Sequence, residues 1–132
     1  MNERSLPVVA GLLGALGVGL GAFGAHALRS SVDPHALGVW QTATRYHLVH
    51  AVLLIVLTAY ARATGRSVAT PAWLLIAGTM LFSGSLYALV LTNARWLGAI
   101  TPLGGLTFIA AWVASGITIS RGSTRAKKPG DQ

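Results

Sequence analysis

Apolar residues in this chain do not alternate with polar ones; they gather in four long runs separated by short polar breaks. The runs extend from about Leu6 to Leu28, His47 to Ala61, Val68 to Leu91, and Leu97 or Pro102 to Ile119. A membrane-spanning helix needs roughly 17–25 mostly apolar residues, because the hydrocarbon layer is about 30 Å thick. The second run is short at its strict apolar limits and reaches that length only if its helix begins in the preceding polar stretch. Start signals stand there: Asp33 suits a helix N-cap and Pro34 the first helical position. Leu37, Trp40, Thr44, His47 and Ala51 follow at helical spacing. Pro34 to about Arg45 is therefore predicted to be a turn or two of helix at the membrane interface, feeding the second span. The fourth run has a similar start, with Thr101 as cap and Pro102 next, which leaves Trp96 to Ile100 as an interfacial segment.

The pattern predicts an all-α integral membrane four-helix bundle with both termini on the same side. It forms one transmembrane domain over residues 1–120, with spans near 6–28, 47–63, 68–91 and 97–119, and a basic, disordered cytoplasmic tail over 121–132. Ala25-His26-Ala27 has the small-x-small form of a signal-peptide cleavage site. The apolar stretch before it is longer than the roughly 7–15 residues of a signal peptide, so a retained helix is expected.

Composition strengthens the membrane reading. Of 132 residues, 53% are hydrophobic and only 10% charged, where a soluble domain carries about 25% charged residues. Mean hydropathy is +0.62. The absence of cysteine removes disulfides, thiolate metal sites and thiol catalysis from this chain. The net charge of +7 is uneven, with Arg121, Arg125, Lys127 and Lys128 in the tail opposed only by Asp131. The tail has no aromatic residue on which bases could stack, so a nucleic-acid partner is not expected. Anionic lipid headgroups are the partner it suits.

Lys and Arg set orientation. Arg4, Arg62, Arg66, Arg121, Arg125, Lys127 and Lys128 fall on the side of the termini, against Arg29, Arg45 and Arg95 opposite. This seven-to-three bias predicts a multi-pass protein of the cell (inner) membrane with both termini cytoplasmic. Trp40, Tyr46 and Trp96 then mark the outer interface, and Tyr60 and Trp73 the inner one. Tyr87 and Trp112 fall inside their spans and fit neither belt.

Helical spacing puts Ala10, Gly14, Gly17, Gly21 and Gly24 on one stripe of the first helix. Lipid tails are as apolar as leucine, so close backbone approach, not burial, holds membrane helices together. The stripe predicts tight packing within the bundle or against a second protomer. Gly84, between Ser83 and Ser85, and the pair Gly104-Gly105 are smaller packing patches. Ser83 or Ser85 as a nucleophile would lack an activating acid or base in the third span, so no catalytic residue is assigned.

His26, His47 and His50 draw attention at the outer ends of the first two helices. His47 and His50, three apart, project from nearly one face, and a short loop would bring His26 near them. Such a cluster could ligate zinc, copper or a haem iron, or bind a quinone ring or an anionic headgroup. The plainer reading is that each imidazole anchors its helix, and a carboxylate second shell is mostly missing. Between the interfaces there is no Asp, Glu, Lys or Arg, which disfavours an ion-coupled transporter.

Gly21-Ala-Phe-Gly-Ala-His26-Ala-Leu28, with Trp40, Thr42, Ala43, Tyr46 and His50, resembles the YgdD/YwdK-like family of small membrane proteins, which has eukaryotic relatives. Phe82-Ser-Gly-Ser-Leu-Tyr87 and Ile100-Thr-Pro-Leu-Gly-Gly105 resemble that family's third- and fourth-helix motifs. The resemblance implies a four-helix membrane protein without implying an activity. The family more often has glutamine where this chain has His47, which leaves His26 and His50 as the pair to test. The matched motifs place His26, Tyr46, His50, Ser83, Ser85 and Tyr87 as candidate lining of one outer-facing pocket. The leading expectation is a non-enzymatic protein that self-associates or joins a larger membrane complex. Ligand or cofactor binding at the His/Tyr cluster is the alternative, with no metal site and no specific cofactor assigned.

Overall fold

The computed structural model describes residues 5–123; Arg4 and most of the predicted basic tail, including Arg125, Lys127 and Lys128, lie outside the described residues. The chain is an all-helical membrane bundle of four long helices. Helix α1 runs Leu6–Leu28, its last turn, Gly24–Leu28, widened to π geometry. Helix α2 runs Pro34–Thr64. Helix α3 runs Ala69–Thr92 and contains a π segment at Thr79–Gly84. A 3-10 turn at Arg95–Ala99 leads into α4, Thr101–Ser123.

The ends of α2 follow from local chemistry. One Asp33 carboxylate oxygen accepts from the backbone N–H groups of His35 at 2.8 Å and Ala36 at 3.0 Å. The Ala36 amide foremost, and the His35 amide after it, hold the Asp33 carboxyl below its usual value. At the other end Gly65 adopts the left-handed conformation (φ 67) and returns its N–H to the Ala61 carbonyl at 2.8 Å. Asn93 (φ 55) closes α3 in the same way.

The expected helical start at Pro34 is present, and Pro34 to Arg45 runs without a break into the rest of a 31-residue helix. Trp40, Ala43 and Thr44 in that stretch are buried in the bundle. At 1.5 Å per residue α2 is about 46 Å long, so its two ends stand in the headgroup layers. The apolar run looked short because several α2 residues face neighbouring helices, where polar side chains are tolerated when they hydrogen-bond.

Helix α2 packs along α1 on one side and α3 on the other, and α3 packs along α4. Two apolar clusters hold the ends. Leu6, Ala10, Leu54, Leu57, Val68, Ala72, Leu75 and Ala111 fill the end where α1 begins. Leu28, Trp40, Ala43 and Tyr87 fill the other. Leu12, Val18, Val56, Leu106 and Ile109 point outward, as lipid-facing residues should.

Glycine permits the closest approaches. A Cβ at Gly17 would lie 2.7 Å from Leu48 Cδ2, one at Gly21 3.1 Å from Thr44 Cγ2, and one at Gly24 would strike the Trp40 ring. These three stripe positions therefore pack against α2 of the same chain, whereas Gly14 has nothing within 4 Å. Between α3 and α4, a Cβ at Gly104 would strike the backbone N of Phe82 and lie 2.7 Å from Leu81 C. Gly84 and Gly105 are looser, with nearest atoms at 3.8 and 3.9 Å.

Candidate functional site

The residues singled out in the sequence separate into a buried network, a lipid-facing cleft, and His26 apart from both. The network ties α1, α2 and α3 together. Trp40 Nε1–H donates to the Leu20 carbonyl at 2.8 Å. The Tyr87 ring packs on Trp40 with centroids 4.6 Å apart, and its hydroxyl lies 3.3 Å from Thr44 Oγ1 and 3.4 Å from His47 Nδ1. Ser83 donates to the Ala43 carbonyl at 2.8 Å. Ser85 donates to the Phe82 carbonyl or pairs with Thr101 Oγ1, both at 2.9 Å, joining α3 to α4. His47 is 1% exposed; its Nε2 meets no partner of good geometry, although the Leu13 carbonyl faces the ring. These side chains serve helix association, the role polar groups commonly take between membrane helices.

His26 is exposed on the π turn of α1. Gly24 on that turn faces Trp40, which sets His26 near the level of residue 38 of α2, about 18 Å along the axis from His50. The three imidazoles do not converge, and the described residues hold no group of three potential metal ligands.

The second group forms a cleft between α2 and α4, about 500 Å³ in volume. Arg45, Tyr46, Val49 and His50 line it from α2, Phe82 from α3, and Gly105, Phe108, Ile109 and Trp112 from α4. His50 is its best-defined member. Trp112 Nε1 can only donate, so His50 Nε2, 3.2 Å away, accepts. Nδ1 therefore carries the proton and donates to the Tyr46 carbonyl at 2.6 Å. The ring lies flat on Phe108, with centroids 3.4 Å apart and planes 11° apart. Tyr46 packs on Phe82 at 4.5 Å. With both nitrogens engaged, His50 offers no lone pair to a metal or haem iron unless the Trp112 bond breaks. Its two hydrogen bonds and the Phe108 stack hold the ring in the wall of the cleft.

Arg45 changes the electrostatic picture. It lies on the continuous helix α2, exposed and lining the cleft beside Tyr46. Arg45 meets no hydrogen-bond or ion-pair partner among the described residues, and neither does the neighbouring Tyr46 hydroxyl.

Sequence reasoning placed Arg45 near the His/Tyr cluster but missed Phe82 and Phe108 as parts of a site. The available signal was the aromatic residue that fitted no interfacial belt: Trp112 is there to bond His50, as Tyr87 is there to pack on Trp40.

The family model described as Protein of unknown function (DUF423) matches residues 20–105. The UPF0382 membrane protein YwdK of Bacillus subtilis is 49% identical over 109 residues, covering 80% of this chain and 89% of the relative. A UPF0382 membrane protein of Staphylococcus aureus is 44% identical over 107 residues, covering 80% and 88%. One from Staphylococcus haemolyticus is 46% identical over 106 residues, covering 77% and 87%. No solved structure matches the chain. Helix for helix the matched region takes in α2, α3 and the tight α3–α4 contact, and the chain belongs to this DUF423, or UPF0382, family of membrane proteins.

Proposed function

We propose that this membrane protein is a non-enzymatic binder that receives an amphiphilic molecule from the bilayer in the cleft between α2 and α4. The observation that carries the reading is the cleft itself: an aromatic wall pre-set by the His50–Trp112 bond, opening sideways to lipid, with unpaired polar groups at one end. The hydrogen bonding of the described residues favours binding over catalysis. Ser83 and Ser85 donate to carbonyls, and His50 has no free nitrogen to act as a base. The charge bias supports an orientation with the Arg62, Arg66 and Arg121 end cytoplasmic, against Arg29 and Arg95 at the other end. The Arg45 end of the cleft then faces the outer leaflet.

Self-association is a second reading, and it rests on a different face of α1 from the one the glycine stripe suggested. Gly17, Gly21 and Gly24 are occupied by α2, whereas Gly11 and Gly19 have nothing within 4 Å and Ala15 is exposed. One experiment addresses both. Native mass spectrometry of protein released from mild detergent is expected to show a lipid-sized mass on wild type that is absent from Gly105→Leu, whose side chain fills the cleft. The same spectrum reads the oligomeric state. Wild type without any adduct would overturn the binding reading.

A further inference from the structure

The cleft has a polar end and an apolar end, and this polarity identifies what fits it. Resting on the binding reading above, we infer that the occupant is a phospholipid of net negative charge, its phosphate on Arg45 and the Tyr46 hydroxyl and an acyl chain laid along Phe108 and Trp112. Three observations converge. Arg45 and the Tyr46 hydroxyl are adjacent donors without partners among the described residues. Both line the same cleft as the aromatic wall. Arg45 is exposed at the end of the cleft away from Trp112, and a cation facing lipid without a protein partner needs an anion.

Charge complementarity also selects among headgroups. Asp33 is the acidic residue of the described chain; it lies twelve positions before Arg45, about 18 Å at helical rise, and its carboxylate already accepts two backbone N–H groups. A choline or ethanolamine cation in the cleft would thus sit beside Arg45 with no carboxylate to balance it. Phosphatidylglycerol brings the phosphate without the second cation. The apolar remainder of the cleft suits a chain lying side-on, since Phe108 is already held flat by His50.

The test uses the full chain in nanodiscs of phosphatidylcholine doped with lipid brominated on its acyl chains, reading tryptophan quenching. The Trp112 contribution is the difference from Trp112→Phe. Brominated phosphatidylglycerol is expected to quench Trp112 at lower mole fraction than brominated phosphatidylcholine. Arg45→Gln should weaken the apparent phosphatidylglycerol affinity about tenfold, the size of one hydrogen bond to a charged group, and Arg45→Lys should retain part of the preference. Arg45 holds no partner among the described residues, so an unchanged circular dichroism spectrum is expected for both variants. Equal quenching by the two lipids, unaltered in Arg45→Gln, would overturn the headgroup assignment and leave the cleft as a binding site. If neither lipid quenched wild type more than the cleft-filled Gly105→Leu, the binding reading would fall and this inference with it.

Discussion

Gly104→Ala is expected to destabilise the bundle by about 3 kcal/mol or more, at the upper end of overpacking costs. The new methyl would strike the Phe82 backbone N and lie 2.7 Å from Leu81 C and Phe82 Cα. A side chain can turn away from such a clash, whereas a helix backbone cannot, so α3 and α4 must separate along their contact. Separation strains the Ser85–Thr101 pair at 2.9 Å and draws Phe108 away from His50. Against a total stability of about 5–15 kcal/mol this is a large fraction. The control is one residue away. Gly105→Ala meets its nearest atom at 3.9 Å, and should change stability by less than about 1 kcal/mol, in the stabilising direction that helix propensity favours. Denaturant unfolding in micelles, followed by circular dichroism, separates the two; equal effects would show that the α3–α4 contact is not as close as described.

Trp40→Ala is the second large effect. Trp40 is 1% exposed, seats its ring over Gly24 and against Tyr87, and donates to the Leu20 carbonyl across the α1–α2 contact. Removing a buried aromatic costs about 3–5 kcal/mol in water-soluble cores. In a bilayer the transfer part shrinks, because the lipid is as apolar as the side chain, while lost packing and the lost hydrogen bond remain. A loss of about 3 kcal/mol is therefore expected. Trp40→Phe keeps most of the ring and loses the N–H, and should cost about 1 kcal/mol. The same unfolding assay checks the pair; a Trp40→Ala effect no larger than that of Trp40→Phe would mean the ring is not a packing element.

Four membrane helices were legible because run length against bilayer thickness is a one-dimensional property, and the Asp33-Pro34 start was legible because capping is local; at Thr101-Pro102 the helix already includes Thr101, whose hydroxyl pairs with Ser85 instead of capping. Partners were not. A glycine facing lipid and one facing a helix look alike in sequence, so the stripe from Gly14 to Gly24 could not say that Gly17, Gly21 and Gly24 meet α2 and Gly14 meets nothing. His26 and His50 looked close because a short loop joins α1 to α2. Adjacency of helices does not equalise depth, and the Gly24–Trp40 contact sets the two imidazoles far apart. The cleft draws residues from α2, α3 and α4, and no spacing along one helix reveals such a convergence.

Lipid occupancy of the cleft between α2 and α4 is tested most directly in native membranes by a photo-crosslinking residue placed at Ile109, which lines that cleft. The expected product is an adduct heavier than the chain by one phospholipid, reduced when Gly105→Leu fills the space. A product of twice the chain's mass, or a crosslink to another protein, would contradict it by showing that a polypeptide covers this face instead.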